Sequence, residues 1–273
     1  MANAKKEKRR VFMGNFLIVS KADKLEEYKA IAEEYSVSFE LNDFFMPAIL
    51  DDEIKQEEII KKYLKIGIPK NSTMHGVFFD IAIFSQDEKI RQVSKERMIQ
   101  SMEIARRLGL KGVVFHTNYN PYLPSKSYKD YFVNTTVREL SKLLEDYSDI
   151  EIYIENMFDT EPDILRGISE KLVQYKNYGV CLDWAHVNVY GQKKQDWIDS
   201  LKGYVKHIHI NDNDFKEDLH LPIGEGNINW EEFFNYYTTY FSNCSILVET
   251  SNPCDQRKSL EYIRKNLLVC DSK

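Results

Sequence analysis

Cysteine is scarce in this chain of 273 residues: there are four, at 181, 244, 254 and 270, with no C-x-x-C spacing. Neither a zinc ribbon, a paired redox motif nor a disulfide framework is indicated, and a reducing cytoplasm is the simplest location. Proline and glycine are few, 7 and 11, and nowhere bunch into a linker, so nothing divides the chain into two domains. No stretch of about 18 uncharged apolar residues is available to span a membrane. The apolar run at 11–19 is interrupted by Gly14 and Asn15 and lacks a small-residue cleavage site, so no signal peptide is read there. Positive charge is not in excess either. The 37 basic and 43 acidic residues leave −6, and the only dense basic cluster, Lys5 to Arg10, lies in the opening segment. A polycation coating nucleic acid is excluded, although a positive groove on an acidic protein is not. The usual phosphate cradles, G-x-G-x-x-G and the P-loop, are missing.

The composition that remains is that of a globular protein with a large core, 43% hydrophobic and 29% charged. Short β-branched or aromatic runs alternate with longer amphipathic stretches rich in Glu, Lys and Leu, the pattern of successive βα units. Strands are expected at 11–19, 38–44, 72–79, 112–118, 151–156, 178–186, 205–212 and 245–250. Helices are expected at 24–35, 51–64, 88–108, 128–147, from about 161, then 196–204, 229–240 and 255–268. Eight such units close naturally into a barrel, whereas an open doubly wound sheet usually has five or six strands and a phosphate-binding glycine turn. The expected fold is α/β, a single (β/α)8 TIM barrel over residues 11–273, following a flexible basic tail at 1–10.

In such a barrel chemistry sits at the carboxyl ends of the strands. The expected strands end near His75, at His116, at Glu155, at Asp183 with His186 three residues on, at His209 and at Glu249; the loop after the seventh adds Asp218 and His220. Five of the six histidines fall in this set, and the sixth, His207, shares the face of His209 one pleat lower. Taken singly, each has a plainer explanation. A lone strand-end histidine is usually a hydrogen-bonded core residue, Asp183 and His186 can cap a loop, Asp212 can be a turn residue and Asp218 can be solvated. Jointly, imidazoles and carboxylates converging from six consecutive strands are the ligand set of divalent cations, Mn²⁺, Zn²⁺ or Mg²⁺. Nine candidates exceed one coordination sphere, so one to three ions are expected, with Glu155 and Glu249 suited to bridging. Phe78 and Trp184, beside ligand candidates, are candidate pocket-lining, substrate-binding residues, with core packing the alternative.

The motifs M-H-G at 74–76, V-F-H-T at 114–117, I-E-N at 154–156, C-L-D-W-A-H at 181–186, H-I-N-D at 209–212, D-L-H-L-P-I-G-E-G at 218–226 and V-E-T at 248–250 resemble those of the xylose isomerase-like TIM-barrel superfamily. That superfamily contains sugar and sugar-phosphate isomerases and epimerases together with the endonuclease IV family of abasic-site nucleases. The resemblance implies a shared metal centre of Glu155, Asp183, His209 and Glu249, and the endonuclease IV pattern adds His75, His116, His186, Asp218 and His220 as a three-zinc cluster. The stretch 40–50, where the nucleases carry a polar DNA-entering segment, has no basic residue. The strings E-L-N-D, H-T-N-Y-N-P and N-D-N-D look more like the sugar-phosphate isomerase/epimerase branch.

The preferred expectation is therefore a metal-dependent isomerase or epimerase acting on a small sugar or sugar phosphate. Glu155 and Glu249 would be the catalytic proton acceptor and donor, and His186 would orient substrate. The alternative is an abasic-site nuclease with a trinuclear zinc site, in which Asp218 and His220 are essential ligands. A non-enzymatic barrel that binds a sugar or metal is a third class.

Overall fold

The structure, a computed structural model, describes residues 13–123 and 125–266. The expected tail at 1–10, the first two residues of the expected first strand and the last two of the expected final helix lie outside the described residues. Eight parallel strands close on themselves in chain order, with the first hydrogen-bonded to the last. They are β1 (Phe16–Ser20), β2 (Ser38–Leu41), β3 (Thr73–His75), β4 (Gly112–His116), β5 (Glu151–Glu155), β6 (Tyr178–Asp183), β7 (Val205–Ile210) and β8 (Ser245–Val248). The helices are α1 (Leu25–Tyr35), α2 (Pro47–Leu50), α3 (Glu53–Ile66), α4 (Glu88–Leu108), α5 (Lys126–Asp146), α6 (Asp163–Leu172), α7 (Trp184–Val189), α8 (Lys194–Leu201), α9 (Trp230–Tyr236) and α10 (Pro253–Asn266). No helix among the described residues is long and apolar enough to cross a membrane.

Local chemistry sets most boundaries. Asp52, Asp87, Ser125 and Asn229 each accept a backbone N–H of the helix they precede, capping α3, α4, α5 and α9. Gly109 ends α4 in the left-handed conformation at φ 64°. The first strand starts at Phe16 rather than in the run from 11, because Met13–Asn15 forms a 3-10 turn. The third is only three residues long, and α9 gives way after Tyr236 to a π-helical turn, Tyr237–Phe241. The sixth unit holds a helix that periodicity missed. α7 begins directly at Trp184 because Asp183 accepts the His186 backbone N–H at 2.7 Å.

Strand periodicity sorts the side chains into two layers. Ile152 and Ile154 of β5, and Ile208 and Ile210 of β7, face outward and are fully or almost fully buried against the helices, in the main hydrophobic core. The alternate positions face the barrel axis: Tyr153 and Glu155, Cys181 and Asp183, His207 and His209, Leu247 and Glu249. Two small apolar groups, Leu17 with Val19 and Leu247, and Val114 with Tyr153 and Cys181, fill the interior separately from the main core. Gly112 makes room for one of them, since a Cβ there would stand 2.6 Å from the Tyr153 ring.

Candidate metal centre

The inward positions of β3 to β8 end in the polar residues picked out by their spacing, and closure of the barrel brings all nine together. They fall into three groups that share members. His75 and His116 face each other with Nε2 atoms 3.1 Å apart, and lie 3.8 and 3.5 Å from Oε2 of Glu155. Glu155, Asp183, His209 and Glu249 form the second group, with one possible ligand atom each, all within 4.8 Å of one another. His209 Nδ1 stands 3.3 Å from Glu155 and 3.4 Å from Glu249. In the third group, Oδ2 of Asp218 lies 3.2 Å from His186 Nε2 and 2.9 Å from His220 Nε2.

The tautomers are set by what surrounds the rings. His75, His186 and His220 each donate Nδ1–H to a backbone carbonyl, of Gly76, Asn156 and Glu249, at 2.9, 2.8 and 3.0 Å. A carbonyl oxygen can only accept, so in the neutral rings the Nε2 lone pairs are turned into the cluster, as metal-ligating histidines are held by their outer partners. Glu155 Oε2, Asp183 Oδ2, Asp218 Oδ1, His116 Nδ1 and His209 Nδ1 are buried with no hydrogen-bond partner among the described residues. Buried polar atoms are almost always satisfied, and three of these orphans, on Glu155, Asp183 and His209, belong to the four-residue group whose ligand atoms lie within 4.8 Å of one another. The donor set, five imidazoles and four carboxylates, fits divalent ions of the Zn²⁺ or Mn²⁺ kind.

Crowding of like and unlike charges shows in the titration of the groups. Burial raises the Asp183 carboxyl, and the neighbouring carboxylates Glu155 and Glu249 add to it, so that it is pushed up to about 8 despite His186. Burial also works against ionisation of Glu155, but His209 and His116 outweigh it and hold that carboxyl well below the usual range. His220 is raised to about 10: burial opposes its charge, and Glu249 and Asp218 overcome that. Burial keeps His116 low. Four carboxylates cannot all ionise side by side without counter-charge, and protons supply it here.

Three supporting residues lie outside the nine candidate ligands, and of them only Asp212 carries a sequence expectation, that of a turn residue. Asn156, fully buried, spans two strands: its side-chain oxygen accepts Asp183 N–H at 2.9 Å and its amide donates to Asp183 O at 3.0 Å. Asp212 organises the long loop that presents Asp218 and His220, accepting the N–H groups of Asn213, Gly224 and Ile228 and the indole N–H of Trp230. Glu40, in the middle of β2, is 1% exposed and touches His207 and His209 from below. Of the two pocket-lining candidates, Phe78 stands at the mouth, its ring 5.1 Å from His75 and 4.9 Å from His116. Trp184 does not. It packs against Phe233 and Tyr236 with 0% exposure, because the helical turn starting after Asp183 swings it into the helix layer. The pocket-lining expectation for Trp184 is thereby corrected to packing.

Residues 38–266 match the family described as xylose isomerase-like TIM barrel. The chain belongs to that family. Within it, this barrel is 30% identical over 211 residues to the uncharacterized protein MJ1311 of Methanocaldococcus jannaschii, covering 73% of this chain and 71% of that protein. A probable endonuclease 4 of Thermosipho melanesiensis is 27% identical over 200 residues, 65% of this chain and 68% of its own. Among solved structures, a D-tagatose 3-epimerase-like protein superposes with a TM-score of 0.74 at 24% identity, covering 92% of this chain and 96% of its own. The family and the barrel follow from these likenesses; the choice between proton transfer and hydrolysis does not.

Proposed function

We propose that the mouth of this xylose isomerase-like barrel is a three-ion centre that hydrolyses a phosphoester. One observation carries this: His75, His116, Asp218 and His220, for which a one-ion centre on Glu155, Asp183, His209 and Glu249 has no use, lie at ligand spacing around the same volume. Divalent ions bound there supply Lewis-acid charge for an oxyanion and acidify a water. Glu155 would serve two of the ions, since its Oε2 lies 3.8, 3.5 and 3.3 Å from His75, His116 and His209. His186 and His220 would hold the third with Asp218. Three dications against four carboxylates leave a net charge of about +2, which favours an anionic phosphoester, whereas one ion leaves the same cluster negative. The βα loops bear the acidic residues Asp23, Asp80, Asp214 and Glu217 beside Lys21, Lys24 and Lys216, and no arginine. A substrate with one phosphoester suits that rim better than a long polyanion does.

The loops also favour a second reading, the isomerase or epimerase of a neutral sugar. A single ion on the four-residue group would leave Glu155 and Glu249, with ligand atoms within 4.8 Å of each other, to accept and return a proton. Elemental analysis of chain loaded with Zn²⁺ or Mn²⁺ separates the two. Three ions per chain, with cleavage of bis(p-nitrophenyl) phosphate that is lost in His220→Ala, is the expected result. One ion per chain, with deuterium exchange from D₂O into a ketose, would replace the first reading by the second. No bound ion would sink both.

A further inference from the structure

Beneath the metal centre the barrel interior holds a second polar layer that metal binding as described leaves unused. Glu40 faces the axis from β2, opposite Thr73 in the register with β3. A carboxylate with 1% exposure, in a barrel interior also lined by Leu17, Val19, Val114 and Leu247, is costly unless each oxygen is occupied. Both are. Oε2 accepts the Thr73 hydroxyl at 2.7 Å and the His207 Nε2–H at 3.0 Å. Oε1 stands 3.2 Å from His209 Nε2, at ion-pair distance though off the line of an ideal hydrogen bond.

His207 is itself fixed from three sides. Its Nδ1 accepts the Ser245 hydroxyl at 2.6 Å, its ring stacks on Tyr153 with centroids 5.2 Å apart, and the His209 ring meets it edge-on at 5.0 Å. The whole layer is thus a clamp around one carboxylate, with a single face left for His209. That face and the Cys181 thiol, both within reach of His209, bear on the orientation of the ring above. With Nε2–H turned down to Glu40, the remaining lone pair of His209 is on Nδ1, between Glu155 and Glu249. A carboxylate behind a ligating imidazole sets its tautomer and angle, and losing such a partner typically costs about 10–100-fold in metal affinity.

We infer that Glu40, held by Thr73 and His207, is the positioning residue that aims His209 Nδ1 at the ion shared by Glu155, Asp183 and Glu249. It touches neither ion nor substrate, and the inference rests on the metal-centre reading above. It makes a distinction that packing alone would not: removing the charge of Glu40 weakens one ion position while leaving the fold in place.

The test uses the full chain as wild type, Glu40→Gln and Thr73→Val, each stripped and titrated with Co²⁺ and Zn²⁺ against a competing chelator. In Glu40→Gln the amide can present N–H to His209 Nε2 and favour the wrong tautomer. One Zn²⁺ position should weaken about 10–100-fold, the visible Co²⁺ spectrum of that position should change, and the melting temperature of the stripped protein should stay near wild type. Thr73→Val, close to wild type in shape, removes one hydrogen bond to Glu40 and should weaken the same position by a smaller factor. Wild-type affinity and an unaltered Co²⁺ spectrum in Glu40→Gln would overturn the inference. If that variant does not fold, Thr73→Val decides, with unchanged Zn²⁺ affinity as the overturning result. A wild-type chain that takes up no ion removes the metal centre as well, whereas normal uptake in all three proteins removes only the role of Glu40.

Discussion

The protonation of Asp183 and His220 governs how the centre fills. Burial and the surrounding carboxylates raise Asp183 to about 8, and Glu249 and Asp218 raise His220 to about 10 against its burial. Both groups therefore hold a proton at pH 7, and an ion must displace it before either can bind. Uptake at pH 7 should release protons, and affinity should rise as pH climbs towards 8 and then 10. Calorimetric titration with Zn²⁺ in two buffers of different ionisation enthalpy checks this; heats independent of the buffer would contradict it. At this scale most of the centre was legible. Glu155 between Tyr153 and Ile154 on one side and Asn156 on the other, or His209 two residues from His207, stand out in apolar strands without any coordinates. Glu40 did not, because it lies in mid-strand and its partners, Thr73, His207 and His209, are far away along the chain.

Among the elements, the loop after β7 is the one whose order the centre depends on most. Asp212 is fully buried and gathers four donors, from Asn213, Gly224, Ile228 and Trp230, while its backbone pairs with Leu221. Gly226 comes so close that a Cβ there would stand 2.4 Å from the Asp212 carboxylate. An unsatisfied buried donor costs about 1–3 kcal/mol. Asp212→Ala leaves four such donors and should therefore lower stability by about 4 kcal/mol or more, the low end of that range for each, and should lose one ion per chain, because Asp218 and His220 ride on this loop. Urea unfolding and elemental analysis measure the two effects; full ion content with a disordered loop would refute the dependence. The sequence marked Asp212 as a turn residue, and its Asn-Asp-Asn-Asp context gave no hint that it is the hub of a loop. The helix after Asp183 was missed for a related reason: six residues starting inside an apolar strand motif carry too little periodicity to read.

For the molecule as a whole, the centre concentrates like charges that a bound metal would relieve. Closing the barrel packs Glu155, Asp183, Asp218 and Glu249 against one another with little access to water. An ion bound at 100 times its dissociation constant stabilises the folded state by about 2.7 kcal/mol. At about 2–4 °C per kcal/mol for a chain of this size, each filled position should raise the melting temperature by about 5–10 °C. EDTA should reverse the gain, as followed by circular dichroism. Identical melting with and without Zn²⁺ would speak against any ion position in the barrel.

The sequence by itself determined the barrel and which side chains lie at its mouth. The period-two alternation fixes which residues face the axis, and a strand ends where its hydrophobic run ends, so chain order alone puts His75, His116, Glu155, Asp183, His209 and Glu249 at corresponding heights. Only the tertiary structure decided that the nine form three groups, two of which share Glu155, that backbone carbonyls turn the Nε2 atoms of His75, His186 and His220 inward, that Trp184 leaves the mouth, and that Glu40 stands under His209. Those facts depend on the angular order of strands around a closed ring and on loop geometry. Contacts between residues such as Glu40 and His207, separated by 167 positions, have no local signature in a linear pattern.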